Sequence, residues 1–144
     1  MEVEMNKKLI MGWLAVFVLL SVLEAVVNLV VLASDFQATA HLWRPEAEMK
    51  IWLFYVVYLF VSFFFTLIFT KGYEGNGVQE GMRYGALIGL MMAIPMAYGS
   101  YGAMPIPYSL ALKWFLAGFI EYTLCGCLLG MMYGKTALVR KVTS

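Results

Sequence analysis

Charge is scarce in this sequence. Only 13% of its 144 residues are Asp, Glu, Lys or Arg, against roughly 25% in soluble domains, and 62% are hydrophobic. So little charge excludes a water-soluble globular surface and places the chain in a membrane, with the lipid bilayer as its first partner. Ten basic and nine acidic side chains leave a net charge of +1, which gives no basic field for nucleic acid. Histidine is limited to His41, so one chain cannot supply paired axial histidines for haem. Cys125 and Cys127 are too few for a disulfide framework. Spaced i and i+2, they lie about 200° apart on a helix and can neither chelate one ion nor bridge. No nucleophile with its base and no metal-ligand set is present. The expectation is a protein that is not an enzyme, with no catalytic, cofactor-binding or metal residues and no cofactor.

What the chain does contain is long apolar runs. Leu9 to Ala33 can cross about 30 Å of hydrocarbon. A secretory signal, suggested by Lys7 and Lys8 ahead of the run and Val31-Leu32-Ala33 at its end, is disfavoured by its length and by Glu24 inside it. Further helices are expected over about 51–70, 79–98 and 108–133. Pro45 marks the first connection, residues 34–50, where Glu46 and Glu48 suit the first turn of the following helix. Pro95 predicts a kink or an early end to the third helix, and GSYGAMPIPYS turns the chain into the fourth. The fold class is all-α: a single integral membrane domain over 1–144, a four-transmembrane-helix bundle of antiparallel up-down topology.

Basic residues orient it. Lys7, Lys8, Lys71, Arg83, Lys135, Arg140 and Lys141 fall on one side, and Arg44, Lys50 and Lys113 on the other. The positive-inside rule makes both termini and the loop near residue 74 cytoplasmic, in a multi-pass protein of the plasma (inner) membrane.

The stretch KGYEGNGVQEGMRYGALIG organises the rest. Gly81, Gly85 and Gly89, continued by Ala93 and Ala97, recur every four residues and so form one smooth helical ridge. Gly126, Gly130 and Gly134 repeat that spacing in the last helix. Both rows lie in the cytoplasmic half, where antiparallel neighbours can lay backbone on backbone. GYEGNG lacks the strand and lysine of a phosphate loop and reads as a tight turn.

Polar groups inside the hydrocarbon carry the functional signal. Glu24 lies roughly 22 Å and Glu121 roughly 18 Å from the cytoplasmic edge at 1.5 Å per residue. Glu24 shares a stripe with Ser21 and Asn28; Tyr55, Tyr58, Ser62 and Thr66 form another on the second helix. Gly126, Gly130 and Gly134 sit about 140 to 220° around the helix from Glu121, so Glu121 faces Glu24, the tyrosine stripe or a second copy of the chain. The candidate intramembrane polar site is Glu24, Asn28, Glu121, Tyr55 and Tyr58. Trp13, Trp43, Trp52 and Trp114 suit interfacial belts, and the methionines suit core filling.

The segments FTKGYEGNG, EGMRYGALIGL and PIPYSLALKWF resemble those of a family of small four-helix bacterial integral membrane proteins of uncharacterised activity. The resemblance covers residues 69–134 and implies the fold, with no activity or site to carry over. In architecture alone the chain is similar to the small multidrug transporters, with four helices and a membrane glutamate in the first. It departs from them in its charge bias, its longer first loop and its second buried glutamate. Two functions are expected to compete. One is a non-catalytic structural, assembly or accessory membrane component, partnered by another membrane protein or a second copy. The alternative is a small oligomeric proton- or cation-coupled transporter using Glu24 and Glu121.

Overall fold

The structure, a computed structural model, describes residues 2–134; Lys135, Arg140 and Lys141, used in the charge argument, lie outside the described residues. Among the described residues there is no strand. Four helices are long and apolar enough to cross a membrane: Val3–Val31, Ile51–Gly72, Val78–Ala103 and Tyr108–Tyr133. The physical reason is that hydrocarbon offers peptide groups no partner, so an apolar run must bond its own backbone.

The first helix, α1 (Glu2–Val26), begins well before Leu9 and passes into a π turn over Val27–Val31. There the side-chain amide of Asn28 donates to the Glu24 carbonyl at 2.7 Å, and the Leu32 N–H reaches five residues back to Val27 at 2.8 Å. A side chain competing for a helix carbonyl is a recognised cause of such a break. The connection that follows is folded: α2 (Ala33–Ala38) and 3-10 turns at Ala40–Leu42 and Glu46–Glu48. The Thr39 hydroxyl donates to the Asp35 carbonyl at 2.7 Å and accepts the Trp43 indole N–H at 2.8 Å. The Trp43 ring meets Phe36 and Trp114 edge-on, with centroids 5.5 and 5.8 Å away. These aromatics cover a small core of Leu32, Ile106, Leu110 and Ala111, and Lys113 pairs with Asp35 at 2.6 Å.

The remaining helices are α3 (Ile51–Gly72), α4 (Val78–Ala103) and α5 (Tyr108–Tyr133). Of the two expectations for Pro95, a kink or an early end, the early end does not occur: Pro95 lies inside α4. The helix continues through Gly99 and Gly102, and the turn shrinks to the residues between Ala103 and Tyr108. A proline removes one donor, whereas leaving the helix in hydrocarbon would strand several peptide groups.

The contact between α4 and α5 is made by backbone. All five small residues of the α4 ridge, Gly81, Gly85, Gly89, Ala93 and Ala97, are buried. A Cβ at Gly85 would stand 2.9 Å from the Thr123 Cα, one at Gly126 would stand 2.8 Å from the Gly85 Cα, and one at Gly130 would stand 2.8 Å from the Val78 Cα. Gly81 and Gly126 approach each other reciprocally: the position a Cβ would take on each points at the other's carbonyl oxygen. Each therefore aims an α-hydrogen at that oxygen, an arrangement worth about 0.5–1 kcal/mol per contact. Gly134 is a correction. It lies past the end of α5 at φ 65°, and a Cβ there would meet nothing within 4 Å, so it terminates the helix and takes no part in the row.

On their other side these helices meet α1 and α3 through a core of Val16, Leu20, Phe65, Phe69, Cys125 and Leu129, ringed by Tyr58, Tyr84, Tyr122 and Tyr133. The first two turns of α3, residues 51–57, are exposed on every side.

Substituting Gly85 by Ala is expected to cost about 1–3 kcal/mol by forcing backbones apart. Gly99→Ala, whose Cβ meets open space, should be neutral or stabilising by up to about 1 kcal/mol. Chemical unfolding in detergent micelles checks both, and equal stability of the two variants would refute the close contact.

Candidate functional site

Of the candidate polar residues, Glu121 is the most enclosed. It is 4% exposed, and its Oε1 is buried with no hydrogen-bond partner among the described residues. Because the glycines of α5 are laid against α4, Glu121 leaves the helix on another side. It lies within coulombic reach of Glu24 on α1 and Tyr58 on α3, so three helices contribute to one centre. Glu24 is half-buried, and its Oε2 accepts a hydrogen bond from Asn28 Nδ2 at 3.0 Å. The same amide holds the Glu24 carbonyl, so the π turn of α1 fixes the geometry of this carboxyl.

The structure therefore brings Glu24, Asn28, Tyr58 and Glu121 together and leaves Tyr55 at the margin. Tyr55 is 50% exposed and touches the group only through an edge-on contact with the Tyr58 ring, centroids 6.2 Å apart. Ser62 and Thr66 are buried, but their hydroxyls donate to carbonyls one turn back, at Leu59 (3.0 Å) and Ser62 (2.8 Å). That part of the polar stripe is satisfied within α3. Ser21, one turn before Glu24, keeps a buried Oγ without a partner among the described residues. Cys125 packs in the core as a free thiol, and Cys127 is half-buried.

Neither glutamate makes a hydrogen bond to another helix among the described residues. The bonds that tie helices together come from residues not singled out for that role. Trp13, expected in an interfacial belt, donates its indole N–H to the Leu59 carbonyl on α3 at 2.9 Å. Tyr84 on α4 donates its hydroxyl to the Phe65 carbonyl at 2.5 Å.

The turn at residues 73–77 is likewise built by unanticipated groups. Glu80, 7% exposed, accepts the backbone N–H of Glu74 at 2.7 Å and of Asn76 at 2.9 Å. The Tyr73 hydroxyl donates to the Gly134 carbonyl and accepts the Gly77 N–H at 3.1 Å. Gly77 adopts φ 68°, a conformation that favours glycine. The signal for Glu80 was in the sequence: it stands three residues after the Gly77 N-cap, the capping-box position. Two surface depressions lie at this end, one beside Gly77, Gly130 and Gly134, the other beside Phe69, Glu80 and Arg83, and neither reaches Glu24 or Glu121. Among the described residues no group of three or more His, Cys, Asp or Glu could hold a metal. Comparison with protein-family models, with curated proteins and with solved structures finds no match.

Glu80→Ala would leave two turn amides without acceptors, at about 1–3 kcal/mol in total. Faster hydrogen exchange at Glu74 and Asn76, with exchange in the middle of α5 unchanged, is the expected result.

Proposed function

We propose that this chain is a non-catalytic structural, assembly or accessory component of the plasma (inner) membrane. The observation that supports this reading most directly is the backbone contact of α4 on α5. It makes a stiff hairpin with almost no side chain between its arms, and a stiff hairpin suits a packing partner better than it suits a moving gate. The placement of hydrogen bonds agrees. Trp13 and Tyr84 lock α1 to α3 and α4 to α3, and every spanning helix leaves a set of large apolar side chains exposed. In this reading the bundle is antiparallel and up-down, with both termini and the 73–77 turn cytoplasmic and His41 and Met104 on the opposite face.

Stoichiometric co-purification of another membrane protein, or of a second copy, from native membranes is the outcome expected of such a component. Gly85→Leu should abolish it and Glu121→Gln should retain it. Solitary purification, together with pH-driven solute uptake by reconstituted vesicles that Glu121→Gln removes, would instead establish the transporter reading, which the unpartnered Glu121 favours. The topology has its own check: with Cys125 and Cys127 replaced, single cysteines at Glu74 and His41 should be labelled from opposite faces, with position 74 inaccessible from outside.

A further inference from the structure

We propose that Glu121 and Glu24 form one exchangeable proton-binding site inside the membrane, in which enclosed Glu121 holds the proton and half-exposed Glu24 is its more accessible partner. The inference goes beyond the structural reading and does not require that the chain transport anything.

Geometry carries it. Glu121 presents a buried carboxyl oxygen with no partner among the described residues, on a side chain that is 4% exposed. A carboxylate so placed cannot keep its charge without a cation or a donor. No cation is beside it. The one ion pair among the described residues joins Lys113 to Asp35, and Lys113 lies eight residues along α5 from Glu121, about 12 Å at the helical rise. Lys8, on α1, lies over the Tyr133 ring at 5.9 Å, and Tyr133 stands twelve residues along α5 from Glu121, about 18 Å by the same measure.

The groups facing Glu121 are few. From α1 there is Glu24, and from α3 Tyr58; Tyr122 and Cys125 belong to α5 itself. The α4 row that packs on α5 is glycine and alanine; the tyrosines that α4 sets against α5, Tyr98 and Tyr101, meet Tyr108 and Phe115 toward the start of that helix, and the Tyr84 hydroxyl is already bonded to Phe65. Two carboxyls within coulombic reach, with no cation between them, titrate as a pair. An enclosed carboxyl with no cation beside it is neutralised by taking up a proton.

The asymmetry of the pair assigns the roles. Glu24 already accepts the Asn28 amide on Oε2, a bond that holds its carboxylate form in place. It is also the less enclosed of the two. Proton exchange therefore passes from the Glu24 side, and a proton arriving on Glu121 converts its carboxylate to the neutral acid.

Infrared difference spectroscopy of the full chain in phosphatidylcholine nanodiscs, acid minus alkaline, tests this. The expected result is a carboxylic acid C=O band that titrates reversibly, disappears in Glu121→Gln, and persists in Glu24→Gln with its proton affinity changed at least about tenfold, as expected for two interacting sites. If Glu121→Gln loses its helical circular dichroism, Glu121→Asp replaces it and should keep the band with an altered midpoint. A band untouched by either change at position 121, or a midpoint identical in Glu24→Gln, overturns the proposal. A band that does not titrate also overturns it, because Glu121 would then be a permanent hydrogen-bond donor.

Discussion

The approach of α4 to α5 at backbone distance is the constraint on which the other contacts depend. Between transmembrane helices there is no hydrophobic gain, since lipid is as apolar as leucine, and close van der Waals contact is what remains. Gly81, Gly85 and Gly89 against Gly126 and Gly130 supply it. Once that face of α5 is committed, its other side chains divide between the outer surface, where Leu116, Ile120 and Leu124 are exposed, and the side toward α1 and α3. Cys125 and Leu129 become core, and Glu121, on the same side, is carried into the protein interior.

The polar economy of the bundle follows from the same arrangement. Ser62, Thr66, Thr70 and Thr123 each return their hydroxyl to a carbonyl one turn back, which satisfies them without reference to neighbours. Bonds between helices are left to side chains with a long reach, Trp13 and Tyr84, whose donors arrive at carbonyls of α3. Glu121 has neither solution. A short helix hydroxyl can bond its own backbone carbonyl; a carboxylate offers only acceptors and cannot. That difference in chemistry separates a residue that packs from one that must bind something.

The glycine rows were legible in the sequence because four-residue spacing of residues without side chains fixes both the helix and the face. Gly134 shows the limit of that reasoning: it continues the spacing, yet a glycine just past a helix end is equally a terminator, and periodicity cannot distinguish the two. Pro95 and the 99–102 glycines were over-read, since their cost in water is a poor guide where leaving the helix strands peptide groups. The π turn was illegible because it comes from competition between one amide and one carbonyl, Asn28 and Glu24. Residue counts alone lead to the expectation that Glu24 and Glu121 lie at similar depth. That they approach one another across α1 and α5, with Tyr58 beside them and Tyr55 outside, needed the rotation of three helices.

The uneven packing of α3 ties these strands together. Its second half carries Phe65 and Phe69 into the core, while residues 51–57 are all exposed. Bonds from Trp13 and Tyr84 hold only the part from Leu59 onward. The helix is thus anchored at one end and uncovered at the other, and the boundary falls at Tyr58, which with Tyr122 of α5 lies within coulombic reach of both carboxyls. Of those two carboxyls, Glu24 is half-buried and Glu121 enclosed.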